Sequence, residues 1–365
     1  MDEAGDFAGI SFPFAAGILA GYMLKKGQAS LYVMCGAVEI AAALALAALC
    51  ALARAQKAPL RGAARPATIL LFFLLGLFCQ LSGGLWPVPA SLPGFAARSA
   101  AALKSTIAAI PYSSPRTNAL ITALITGDRA LISQDIYQCF RASGASHLLA
   151  LSGLHLGVIC LIVSRAASVF GNTPASRILR ACLIISFSAF YALMTGAGPS
   201  IVRAFIFICL GEICSLSPER KRIPIRILLA ALTIQLVFAP YIIESLGFQL
   251  SYLAMSGIIL IYPKLSGWYP ESGGPGLLRK IWKLAALSVS CQAFTFPLVW
   301  LRFHSFPKYF LITNLLAMPL TTSLIGVSVV TISLSAAGCC PGALIFVNEI
   351  ITNLLLFVLE TISGM

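Results

Sequence analysis

The chain has 365 residues, of which 59% are hydrophobic and only 10% charged, with a formal net charge of +13 and a mean hydropathy of +0.93. Soluble globular domains carry about 25% charge, so this composition excludes one and points to a chain that lives in lipid. In hydrocarbon the backbone must satisfy its own polar groups, and the apolar runs are too long for barrel strands. The expected fold class is therefore all-α, a polytopic membrane protein of about 10–11 transmembrane helices with an amphipathic helical segment on the outer side.

In chain order, the first part is residues 1–86, N-terminal transmembrane helices with spans expected near 7–23, 29–53 and 68–86. Its opening, MDEAGD, is acidic where a cleavable leader would be basic, so no such leader is expected. The linker ARAQKAPLRGAARP (54–67) is basic. With the N-terminus cytoplasmic and each run crossing once, this linker and three later inner connections take most of the 25 basic residues. Membrane orientation thus accounts for most of the charge, and nucleic-acid attraction is left with the outer remainder, including Arg98, Lys104, Arg116, Arg129 and Arg141.

Residues 87–143 read as an outer-side interfacial and amphipathic segment. AARSAAALKSTIAAI (96–110) resembles an interfacial helix, and TNALITALITGDRALISQDIYQCFRASG (117–144) reads as two short amphipathic helices. Ile121, Leu124 and Ile125 share one apolar face, and Ile132, Ile136 and Phe140 share the other. Gly127 separates the two helices, Ser133 caps the second with Asp135 in its first turn, and Gly144 ends it.

Residues 144–365 read as a helical bundle, with spans near 146–164, 181–197, 199–216, 227–243, 245–262, 284–301, 309–334 and 341–360. Pro319, Gly338 and Pro341 are candidate breaks in the last two. Within GASHLLALSGLHLGVI (144–159), His147 and His155 stand eight residues apart, about 12 Å on one helix, too far to chelate a single ion. Each histidine is expected to donate to a neighbouring helix. Ser152 and His155, at i and i+3, share a face, but no orienting carboxylate is near in sequence to complete a catalytic set. In TGAGPSIVRA (195–204), Pro199 can open a helix whose free N–H groups and Arg203 suit an anion. The competing reading has Arg203 snorkelling to the outer surface or pairing with Glu244.

ESLGFQLSYLAMSGI (244–258) places Glu244, Gln249, Ser251 and Ser256 in one span, with Gly247 and Gly257 for close contact. The stretch 290–320 interleaves Gln292, Thr295, His304 and Asn314 with Pro297, Pro307 and Pro319. Broken helices at membrane depth line cavities, which points to a path across the membrane. The aromatic residues there read as an interfacial belt rather than a stacking platform for bases. The 11 cysteines, mostly in apolar runs and without metal-ligand spacing, read as packing residues.

ALITGDRALI (123–132), GASHLLALSGLHLGVI, TGAGPSIVRA, ESLGFQLSYLAMSGI and FP followed by NLLAMPL (296–297 and 314–320), in this order, resemble the transmembrane competence domain of the ComEC family, the channel proteins of bacterial DNA uptake. The resemblance covers about residues 115–365. It implies a multi-pass protein of the bacterial inner (cytoplasmic) membrane that passes single-stranded DNA inward. It also implies membrane lipid, a DNA receptor, a cytoplasmic helicase and a separate nuclease as partners, and leaves homo-oligomerisation open.

His147, Ser152, His155, Arg203 and Gln249 occupy motif positions of that family. With Ser200, Glu244, Ser251, Asn314, Arg129 and Arg141 they form the candidate path for DNA or another anion. Larger members carry an OB-like and a metallo-β-lactamase-like domain. Too few residues separate Trp86 from Thr117 for the first, and three histidines cannot build a two-metal site, so a short form is expected, with no cofactor, no metal and no catalytic residue. The rival readings are a transporter of another anionic solute and a membrane-embedded enzyme using His155 with Ser152 or Glu244.

Overall fold

The computed structural model describes residues 3–27, 61–82, 91–171, 173–216, 223–269, 276–304, 308–339 and 341–364. Among them every regular element is helical. In chain order these are α1 (Glu3–Gly27), α2 (Arg61–Ser82), α3 (Ser91–Ala108), α4 (Pro115–Thr126), α5 (Gln134–Ala142), α6 (Ser146–Leu149), α7 (Gly153–Ala167) and α8 (Pro174–Met194). There follow α9 (Pro199–Leu216), α10 (Pro224–Phe238), a 3-10 turn (Pro240–Glu244), α11 (Leu246–Leu260), α12 (Tyr262–Ser266), α13 (Gly276–Phe303), α14 (Phe310–Ala336) and α15 (Gly342–Ser363). Among the described residues, six stretches are long and apolar enough to cross a bilayer: 153–170, 174–194, 199–216, 276–303, 310–336 and 342–363. Shorter apolar helices cover 9–23, 69–80, 224–238 and 246–260. The protein is an all-α polytopic membrane protein, and the expected span at 29–53 lies outside the described residues.

The chain forms two compact units, Met1–Val88 with Arg222–Tyr252, and Pro89–Lys221 with Leu253–Met365. In the first, α1 and α2 cross at glycines. A Cβ on Gly17 would collide with the Phe73 carbonyl, and one on Gly76 with the Phe14 carbonyl, so the two backbones touch. Lipid offers no hydrophobic drive between helices, and this close approach supplies dispersion contact instead. α10 joins the pair through Ser11, whose Oγ donates to Leu229 O at 3.3 Å and accepts from Thr233 Oγ1 at 3.0 Å.

In the second unit, α14 packs against α3, α4, α7, α13 and α15. The core gathers Leu120, Leu124, Phe140, Leu148, Leu156, Ile201, Leu324 and Leu355. Gly257 of α11 lies so close to α13 that a Cβ there would collide with the Ser290 carbonyl.

Three expectations change. Residues 146–164 are not one helix: α6 is a single turn, residues 150–152 are non-helical, and α7 starts at Gly153. α4 is not amphipathic, since Thr117 and every residue from Ala119 to Thr126 are buried; it is enclosed by α3, α14 and α15. Pro297 and Pro319 lie inside continuous helices, and Pro307 is outside the described residues. A proline removes one N–H from the ladder, while a break in lipid would leave several groups without partners, so the helix runs on. Gly338 (φ 81°) and Pro341 do separate α14 from α15. The expected helix ends are present: Gly127 caps α4 in the left-handed conformation, Ser133 caps α5 by accepting from the Ile136 N–H at 3.4 Å, and left-handed Gly144 follows the end of α5.

Candidate functional site

The break ahead of α7 has a local cause. Ser152 takes an extended conformation (φ −128°, ψ 170°), and its Oγ accepts from the Leu154 N–H at 3.2 Å. His155 reaches back, with Nδ1 2.8 Å from Ser152 Oγ and 3.3 Å from the Ser152 N–H that donates to it. This is a capping box with histidine in place of the usual Glu or Gln. Because Nδ1 accepts, the ring hydrogen belongs on Nε2. His155 is 1% exposed, and Nε2 has no hydrogen-bond partner among the described residues.

His147 is instead exposed, with Nδ1 3.2 Å from Gly144 O in its own segment. The two histidines do not share a helix, so the distance argument drawn from a continuous helix does not apply. Both ring nitrogens that are held find their partners locally rather than on a neighbouring helix. Ser152 Oγ is committed to the cap.

At the start of α9 the turn is tight. Gly196 (φ 83°) and Ala197 (φ 50°) are both left-handed, and the Ala197 N–H returns to Ala192 O at 2.8 Å. Ser200 is half-buried in the first turn. Arg203 does not snorkel outward: it is 8% exposed, and its Nη2 lies 3.5 Å from where a Cβ on Gly153 would stand. Its Cζ sits 6.0 Å from the centre of the Phe207 ring. Ala204 Cβ lies 3.3 Å from the same point on Gly153, so α9 comes close enough that a side chain there would have to push it back slightly.

The GDR turn completes the cluster. Leu151 packs over Gly127, and Arg129 Nε donates to Leu149 O at 3.2 Å, leaving the rest of an exposed guanidinium outward. Asp128 pairs with Lys104 and accepts from the Ala130 N–H at 3.0 Å. The Lys104 hydrogen bond, followed by that of Ala130, holds the Asp128 carboxyl below its usual range. ALITGDRALI, GASHLLALSGLHLGVI and TGAGPSIVRA, far apart in sequence, therefore meet around residues 149–153.

The other candidate residues are more dispersed. Arg141 is exposed in the last turn of α5, and Asn314 is half-buried on α14 with its Oδ1 buried and without a partner among the described residues. Glu244, Gln249 and Ser251 belong to the first unit. There Glu244 is exposed, Gln249 Nε2 donates to Ile243 O at 2.8 Å, and Ser251 is half-buried.

One polar centre escaped the sequence reading. Asn348 of α15 is fully buried; its Oδ1 accepts from Ser328 at 3.1 Å, and its Nδ2 donates to Thr331 Oγ1 at 2.9 Å and to Tyr112 OH at 3.4 Å. The next residue, Glu349, accepts from both the N–H and the hydroxyl of Ser113. The pair Asn-Glu inside the run IFVNEIITN was the available signal. Chemically, the α7–α9 crossing offers a buried guanidinium near two helix starts, an arrangement suited to a negative group.

Residues 124–365 match the family described as "Competence protein". The chain is similar to ComE operon protein 3 of Bacillus subtilis, 28% identical over 253 residues, which is 66% of this chain and 30% of that protein. It is similar to Uncharacterized protein YcaI of Escherichia coli, 29% identical over 230 residues, 61% of this chain and 29% of that one. A third relative is Recombination protein 2 of Haemophilus influenzae, 26% identical over 220 residues, 56% and 27%. The chain thus spans less than a third of the length of these curated relatives. No solved structure matches it.

Proposed function

Because the chain belongs to the competence protein family, we propose that it is a channel of the bacterial inner membrane that passes single-stranded DNA inward during natural transformation. The observation that carries this reading is the convergence of Arg129, the capped start of α7 and buried Arg203 on one short stretch of chain. A guanidinium beside helix N-termini recognises phosphodiester oxygens through charge-assisted hydrogen bonds, and phosphate contacts dominate affinity for a DNA strand. In this reading the N-terminus is cytoplasmic, and the exposed cations Arg98, Arg116, Arg129 and Arg141 of α3 to α5 face the outer mouth. A receptor delivers the strand, while a helicase and a nuclease act as separate partners.

The test is transformation. Arg203→Ala in a competent host should lower transformation frequency at least tenfold while the protein still inserts in the membrane. Normal frequency with normal insertion refutes the proposal. Binding of single-stranded oligonucleotide to purified protein should weaken steeply with salt; flat binding favours a transporter of a smaller anionic solute.

A further inference from the structure

α3 and α4 pack against each other as a hairpin, in which the Asn118 side chain donates to Ile107 O at 3.1 Å. Its open ends lie together near the end of α8: Phe95 stands 6.0 Å from the Phe190 ring, and Tyr191 donates to Ile125 O at 2.7 Å. Gly127, directly after α4, packs under Leu151 beside the start of α7, and Thr313 in the first turn of α14 donates to Ser143 O at 2.8 Å. The open ends therefore share a level with the starts of α7 and α14.

The turn of the hairpin, residues 109–114, is far from that level. There Tyr112 OH accepts from Asn348, and Glu349 accepts from the N–H and the hydroxyl of Ser113. Asn348 is about 9 Å from the start of α15 at Gly342 and about 22 Å from its end at Ser363. Its partner Ser328 is about 12 Å from the end of α14 at Ala336, which agrees. α4 itself, from Pro115 to Thr126, separates the turn from the open end by about 16 Å. The hairpin is thus re-entrant, entering the bundle where α7 and α14 begin and turning back inside a core of about 30 Å.

Non-helical backbone at membrane depth is found where protein buries it or where it meets water in a cavity, and not against lipid. Among the described residues nothing buries this turn: Pro111 and Ser113 are exposed. The neighbouring edge of α15 agrees. Glu349, Asn353 and Glu360, at i, i+4 and i+11, share that edge, and Asn353 is exposed near the middle of the span. A carboxamide there is costly in lipid and satisfied by water. Nearer the open end, Arg116 and Glu360 meet at 3.8 Å with side chains 65% and 51% exposed. The next face of α15 carries Phe346, Ile350, Leu354 and Phe357, exposed and apolar, as lipid requires.

We infer that the edge between the α3–α4 hairpin and α15 is a water-filled vestibule, open where α7 and α14 begin and floored by the turn at Ser113. It admits water and small hydrophilic solutes to about the middle of the hydrocarbon core. That its mouth faces outward rests on the orientation proposed for the chain; the vestibule itself does not.

The test is thiol accessibility in the full chain, in intact cells and in inverted membrane vesicles. A charged, membrane-impermeant thiol reagent is applied, and labelling is scored beyond that of the parent's own cysteines. Ser113→Cys and Asn353→Cys should react from the outer side at least tenfold faster than Ile350→Cys and Phe357→Cys on the lipid face. Reaction of Ser113→Cys and Asn353→Cys no faster than these two, from either side, overturns the inference. Fast reaction from the inner side alone upholds the vestibule and refutes the orientation. Should Ser113→Cys fail to insert, Asn353→Cys, which leaves the bonds of the hairpin intact, reads the same water-filled edge.

Discussion

Ser152 and His155 close on each other at the start of α7, Oγ to Nδ1 at 2.8 Å, and so end one helix and begin another within a run that is otherwise mostly apolar. Two residues that invited a catalytic reading thus have a structural occupation. Removing it should be measurable: Ser152→Ala loses the acceptor for Leu154 and is expected to cost about 1 kcal/mol, whereas Ser152→Gly should cost only a few tenths. Thermal unfolding of the purified variants checks the order. Equal stability of Ser152→Ala and the parent would contradict the cap.

The strain at the TGAGP turn gives a prediction of opposite sign. Ala197 holds φ 50° directly after Gly196, a conformation in which a Cβ costs about 1–2 kcal/mol. Ala197→Gly is expected to raise the unfolding midpoint, less the backbone entropy that glycine loses. Ala197→Val should lower it. If the turn must flex for transport, Ala197→Gly changes transformation frequency as well.

Asn348 should behave as a joint of the α14–α15 hairpin. Asn348→Leu removes the bonds to Ser328, Thr331 and Tyr112 at a position with no solvent to replace them. Polar contacts between membrane helices are worth roughly 1 kcal/mol each, so a loss of about 1–2 kcal/mol is expected. A Leu variant as stable as the parent would show that packing alone holds the hairpin.

The Lys104–Asp128 pair predicts a pH dependence. The folded-state pKa of Asp128 lies below its ordinary value of 3.8, so its stabilisation is complete above that value and is lost as pH falls through the lowered one. Both side chains are more than a third exposed, so the effect is small, below about 1 kcal/mol. Asp128→Asn should flatten the acid limb of the stability profile below about pH 4. The flattening comes from the neutral side: the variant should lose that small contribution at neutral pH and match the parent at the most acid pH. An unaltered acid limb would show that the pair contributes nothing.

The sequence by itself determined the class, most of the spans and the ends of α4 and α5. Long apolar runs have only one way to satisfy their backbone in lipid, and Ser133, Gly127 and Gly144 act through their own residues. The order of the motif stretches was equally legible, and it pointed to the family. Only the tertiary structure decided the break at residues 150–152, the burial of α4 on all sides and the role of Asn348. In water, the polar side of a helix reveals which face is buried. In a membrane the lipid-facing and protein-facing sides are both apolar, so periodicity carries little about neighbours. That Arg129, Leu149, Gly153 and Arg203 share one place follows from helices crossing over long separations, where glycines permit contact and buried carbonyls find their donors.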